Sequence, residues 1–67
     1  MKNNKLVEAR KKAGLTQKIV AEKVGISVVS YQRIEYGQGL SLQTAFLIAE
    51  VLDTTVDQLW GGSLTTG

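Results

Sequence analysis

The 67-residue chain has no cysteine and no histidine. The first absence excludes disulfide staples and thiolate chemistry, and the second removes the commonest metal ligand and acid–base group near neutral pH. No apolar run approaches the ~20 residues needed to cross a bilayer. The amino-terminal MKNNKLVEARKK has no apolar core of the kind a signal peptide carries, so the chain is expected to stay in the cytoplasm and away from membranes. The acidic residues, two Asp and four Glu, are scattered, with no metal cluster, no HxxE pair and no phosphate-cradling glycine loop. Catalysis is therefore not expected. No cofactor, metal or small-molecule ligand is evident either.

Nor is there any basic residue after Arg33. Residues 1–34 hold all eight Lys and Arg against Glu8 and Glu22, a charge of +6, whereas residues 35–67 hold only Glu35, Glu50, Asp53 and Asp57, a charge of −4. A basic half beside an acidic half suits a domain that turns one face to a polyanion, although a solvated lysine-rich helix would look the same. The length fits one small domain, able to bury only about three-fifths of its unfolded surface. Its stability must come from helix packing, with dimerisation as a further source.

What the chain does have is the stretch QKIVAEKVGISVVSYQRI, from Gln17 to Ile34. Val20 and Val24 are four apart, and Tyr31 and Ile34 three apart, so each pair lies on one face of a short helix. The two faces can be buried together only if the chain turns at Gly25, where positive φ is open to glycine. Ala21 falls at the closest crossing of the neighbouring helix, where a larger side chain would push it away. Burying that inner side leaves Val28, Val29, Gln32, Arg33 and Tyr36 as one outward strip. Two valines, an amide and a guanidinium suit a DNA major groove, where Arg and Gln pair bidentately with purine edges and valine meets thymine methyls.

The stretch LTQKIVAEKVGISVVSYQRIEYGQ resembles the helix-turn-helix of the lambda-repressor/Cro-type (xenobiotic-response-element-like) regulators of bacteria, phages and mobile elements. The following SLQTAFLIAEVLDTTVDQLW resembles the helices that come next in that family, so the likeness covers residues 6–60. It implies an all-α fold, a compact five-helix lambda-repressor-like domain over residues 1–60 with its helix-turn-helix at about 17–36, and a flexible polar tail at 61–67. It also implies that Arg10 of helix 1 pairs with Glu35, the alternative being that both reach solvent, that Gln17 bonds a DNA phosphate, the alternative being an idle exposed amide, and that the loop carrying Tyr36 and Gln38 touches the DNA backbone through main-chain N–H groups. Gln38 stands where the family often has a basic residue, so one charged phosphate contact is absent. Val28 and Val29 depart from the polar pair of some members, which exchanges hydrogen-bond readout for apolar contact.

Along the chain, helix 1 is expected at about residues 4–13, with Leu6, Ala9, Arg10 and Ala13 on one face and Gly14 as its stop. Thr16, Ser27, Ser41 and Thr55 are placed to cap helices 2 to 5, with Thr55 and Gln58 spaced as a capping box. Helix 4 is expected at about 42–52, with Leu42, Ala45, Phe46, Ala49 and Leu52 as its core stripe and Ile48 beside it. Leu47 and Val51 fall outside that stripe. With Leu59 or Trp60 they are expected to line a homodimer contact, the alternative being that helix 5 folds over them. Arg33 reads a base or contacts a phosphate. Val29 either faces DNA or packs on helix 2. Ser27, Ser30 and Gln32 could reach phosphates or bases, and Ser30 could instead be small for packing.

The expected function is sequence-specific binding of double-stranded DNA by a transcriptional regulator, a repressor on a palindromic operator bound as a homodimer. A protein-binding, antitoxin-like module using the Val28/Val29 surface is the alternative from another class. A purely architectural DNA binder without base preference is a third.

Overall fold

The computed structural model describes residues 2–61. Its helices follow from their first residues. Asn3, Thr16, Ser27, Ser41 and Thr55 each have extended backbone and accept, on a side-chain oxygen, the N–H three residues on, at 3.1–3.2 Å. Each bond satisfies one of the donors a helix start leaves without an internal partner. The helices that follow are α1 (Asn4–Lys12), α2 (Gln17–Val24), α3 (Val28–Glu35), α4 (Leu42–Val51) and α5 (Val56–Trp60). No strand is found among the described residues. The tail expected at 61–67 begins with Gly61, which closes α5 with φ +58, and otherwise lies outside the described residues.

Gly25 ends α2 with φ +90, and its N–H and that of Ile26 both return to the Ala21 carbonyl at 2.8 and 3.0 Å. A Cβ there would meet nothing within 4 Å. Glycine is therefore required by the left-handed backbone and not by crowding. This turn brings α3 back across α2 so that Val20 and Ala21 meet Tyr31 and Ile34. With Leu6, Ala45, Ile48, Ala49, Leu52, Val56 and Leu59 they form one buried cluster. α2 packs on both α3 and α4, and α1 on both α3 and α5.

Three expectations shift here. Helix α1 stops at Lys12, and Ala13 is an exposed C-cap, while Val7 is buried beside Leu6. Being wedged between two helices, α1 buries a wider stripe than one three-four spacing covers. On α4 the buried stripe is Ala45, Ile48, Ala49 and Leu52, whereas Leu42 and Phe46 are 54% and 59% exposed. Ala45 and Ala49 let the helix come close to its neighbours, which leaves the longer side chains at the edge of that face outside. The capping box at α5 is only half formed. Thr55 caps Gln58, but the Gln58 side-chain oxygen Oε1 accepts from the Thr54 hydroxyl at 2.7 Å and does not reach back to Thr55.

Asn3 does more than cap α1. Its N–H donates to the Glu35 carbonyl at 2.7 Å, and its side-chain amide donates to the Leu59 carbonyl at 2.9 Å. One residue thus ties the start of α1 to the ends of α3 and α5, satisfying a terminal carbonyl on each.

Candidate nucleic-acid interface

The inner side of α3 is closed. Tyr31 is wholly buried, Ile34 nearly so, and Glu35 is 2% exposed. Its outer side carries Val28, Val29, Gln32 and Arg33, all exposed, with Tyr36 as the exposed C-cap. Val29 is 54% exposed, so it does not pack into α2. The Arg33 guanidinium makes no hydrogen bond or ion pair among the described residues and is free to engage a base edge or a phosphate. Ser30 is exposed and not a packing residue: the Ser27 hydroxyl donates to the Ser30 hydroxyl oxygen at 3.0 Å. The Ser30 proton is thereby left to point elsewhere.

A chain of polar groups runs from beneath α3 to this outer strip. Arg10 Nε donates to Glu35 Oε2 at 2.6 Å, the pair being largely buried, and Arg10 Nη1 donates to the Leu15 carbonyl at 3.0 Å. The other Glu35 oxygen accepts from Gln17 Nε2 at 2.9 Å, and Gln17 Oε1 accepts from Gln32 Nε2 at 3.1 Å. Burial by itself would raise the Glu35 pKa, but hydrogen bonds from Arg10 and Gln17, the nearby Tyr31 hydroxyl and the Arg10 charge outweigh it and hold the carboxyl below its ordinary value. Tyr31 is pushed the other way, chiefly by burial and then by the neighbouring Glu35 carboxylate. Its buried hydroxyl lies beside the Glu35 carboxylate but makes no hydrogen bond of good geometry.

Of the positions named from the sequence, Gln17 meets Gln32, Ser27 meets Ser30, and Val28, Val29, Gln32 and Arg33 lie exposed on α3. Gln17 is half-buried at the start of α2 and its amide is engaged with Glu35 and Gln32, leaving one N–H for an anion. The main-chain N–H groups of Tyr36, Gly37 and Gln38 all bond to carbonyls of α3, so those three are not available to phosphates. The side chains of Tyr36 and Gln38 remain exposed. The four residues expected at a dimer contact do not form one patch. Leu59 is 2% exposed and belongs to the chain's own core. Trp60 is half-buried in a groove with Lys2, Lys5, Gly37, Gly39 and Leu40. Leu47 is exposed in a different groove beside Phe46, Glu50 and Val56, and Val51 is half-buried against the core.

The helix pair, the turn at Gly25 and an outer face on the second helix define a helix-turn-helix domain. A family model described as Helix-turn-helix matches residues 6–59, and the chain belongs to this family, the lambda-repressor/Cro-type helix-turn-helix of DNA-binding transcriptional regulators. Among curated proteins, the chain is similar to the cryptic phage CTXphi transcriptional repressor RstR of Vibrio cholerae serotype O1. The two are 36% identical over 58 residues, covering 85% of this chain and 52% of the repressor. The chain therefore spans about half the length of that relative. No solved structure matches it. No helix of the described residues is long and apolar enough to cross a membrane.

Proposed function

We propose that the chain binds double-stranded DNA sequence-specifically as a transcriptional repressor, two copies placing their α3 helices in successive major grooves of a palindromic operator, roughly 34 Å apart. The observation that carries this reading is the division of α3: Tyr31, Ile34 and Glu35 are buried, while Val28, Val29, Gln32 and Arg33 stand uncovered. The basic amino-terminal half supplies phosphate neutralisation and salt-dependent affinity, and the outer face of α3 supplies sequence choice. Repression is supported by the relative described as a transcriptional repressor. Pairing of two copies is supported by the exposed apolar side chains of α4, Leu42, Phe46 and Leu47, with Val51 at their margin.

Selection from a random duplex library tests the proposal. The expected result is a consensus with two related half-sites, affinity that falls steeply with salt, and loss of specific retention in Arg33→Ala with the helical signal intact. Absence of DNA retention, with salt-insensitive capture of a protein through Val28 and Val29, would overturn it. DNA retention without any consensus would leave an architectural binder instead.

A further inference from the structure

We infer that the ionised Glu35 carboxylate, acting through Gln17, fixes the orientation of the Gln32 amide and so makes Gln32 a reader of adenine. This rests on the DNA-reading proposal above and adds a residue-level mechanism to it. Hydrogen-bond polarity sets the orientation of each amide in turn. An ionised carboxylate only accepts. One Glu35 oxygen is taken by Arg10 at 2.6 Å, and the other, 2.9 Å from Gln17, admits only the Gln17 NH2 group. An amide that turns its nitrogen one way turns its oxygen the other, so Gln17 presents Oε1 toward Gln32. The only group of Gln32 that can meet an oxygen there is its own NH2, and that contact is present at 3.1 Å. Flipping the Gln32 amide would set two carbonyl oxygens against each other.

The consequence lies on the exposed side. Gln32 keeps one N–H and its carbonyl oxygen, the donor and acceptor that complement N7 and N6–H of adenine in the major groove. Gln17 keeps one N–H, so holding Gln32 and touching a phosphate are compatible. A glutamine on an open helix face would otherwise sample many rotamers, and contact with DNA would have to order it. The tether to Gln17 does part of that ordering beforehand. Glu35, on the buried side of the same helix and linked to Gln32 through a single amide, is then a positioning residue for base choice as well as half of an ion pair.

Base preference at every operator position is to be measured for the parent chain, Gln32→Ala, Gln17→Met and the double variant, with far-UV circular dichroism confirming folding at the assay temperature. Met keeps the length of Gln17 and removes its donors and acceptor. The parent should prefer adenine at one base pair of each half-site by about 5- to 150-fold, the range of a bidentate contact. Gln32→Ala should abolish that preference, Gln17→Met should weaken it at the same base pair and no other, and the double variant should match Gln32→Ala. A Gln17→Met chain that binds every duplex equally less well, with its adenine preference intact, would show a phosphate contact only and overturn the inference. So would a Gln32→Ala chain that keeps the preference. A parent chain that selects no consensus would instead sink the DNA-reading proposal on which the inference stands.

Discussion

Replacing Arg10 by Met should cost this domain most of its stability. The Glu35 side chain is 3% exposed and Arg10 is 12% exposed, with 2.6 Å between Nε and Oε2. Removing the guanidinium leaves a buried carboxylate held by Gln17 alone, and breaking a buried pair from one side typically costs ~3–5 kcal/mol. The bond from Arg10 Nη1 to the Leu15 carbonyl, which pins the connection between α1 and α2, is lost as well. Domains are stable by ~0.05–0.15 kcal/mol per residue, or roughly 3–10 kcal/mol for a chain of this length. The single change therefore approaches the whole margin. Urea unfolding at pH 7, followed by the helical circular dichroism signal, should show a loss of at least ~3 kcal/mol, or a chain unfolded without denaturant. Arg10→Met combined with Glu35→Leu should recover most of the loss, because an apolar pair of similar volume carries no stranded charge. A loss below ~1 kcal/mol in the single variant, the size typical of exposed pairs, would refute the reasoning.

Acid should weaken the fold through the same residue. The folded-state pKa of Glu35 lies below its ordinary value, so its contribution is complete above the ordinary carboxylate range and is lost as pH falls through the depressed folded value. Urea midpoints measured between pH 6 and pH 3 should fall more for the parent than for Glu35→Gln, and equal slopes would count against it. Asn3→Ala removes the cap of α1 and the bond to the Leu59 carbonyl, and should cost ~1–2 kcal/mol by thermal or urea unfolding. Asn3→Ser keeps a capping oxygen without setting a charged acceptor against the Leu59 carbonyl and should lose less. Ala21→Leu, at a position 1% exposed where α2 meets its neighbours, should destabilise by ~1–3 kcal/mol through overpacking, whereas a neutral result would mean that the crossing is looser than it looks.

The parts of this fold that were legible in the sequence are those decided within a few residues. Thr16, Ser27, Ser41 and Thr55 cap their helices by bonding three positions ahead, and Gly25 turns the chain by its own backbone freedom. Periodicity also sorted α3 into a buried and an exposed side, because polar Gln32 and Arg33 alternate with Tyr31 and Ile34. It failed on α4, where the polar face marked by Gln43 and Glu50, seven apart and both exposed, is narrow and flanked by the apolar Leu42, Phe46 and Leu47. Only the tertiary setting, with Ala45 and Ala49 inward, decides that Phe46 stays out. Two features depend on partners far along the chain. Asn3 meets Leu59 across 56 positions, and Gln17 meets Glu35 across 18, so neither leaves a local pattern to find. The pairing of Arg10 with Glu35 was expected from family resemblance alone; as a sequence feature it is only a charge on an apolar stripe. Leu59 shows the opposite error, since an apolar residue in a short last helix can serve its own core as readily as a partner's.

The central claim is that the uncovered side of α3 is the surface that meets DNA. Its most direct test is a nuclear magnetic resonance titration of labelled protein with the selected duplex, following side-chain and backbone signals together. The Arg33 guanidinium, the Gln32 amide and the methyls of Val28 and Val29 should shift most, while those of Ile34, Ile48 and Leu59 hold. Shifts centred on Leu42, Phe46 and Leu47, with the α3 signals unmoved, would contradict it.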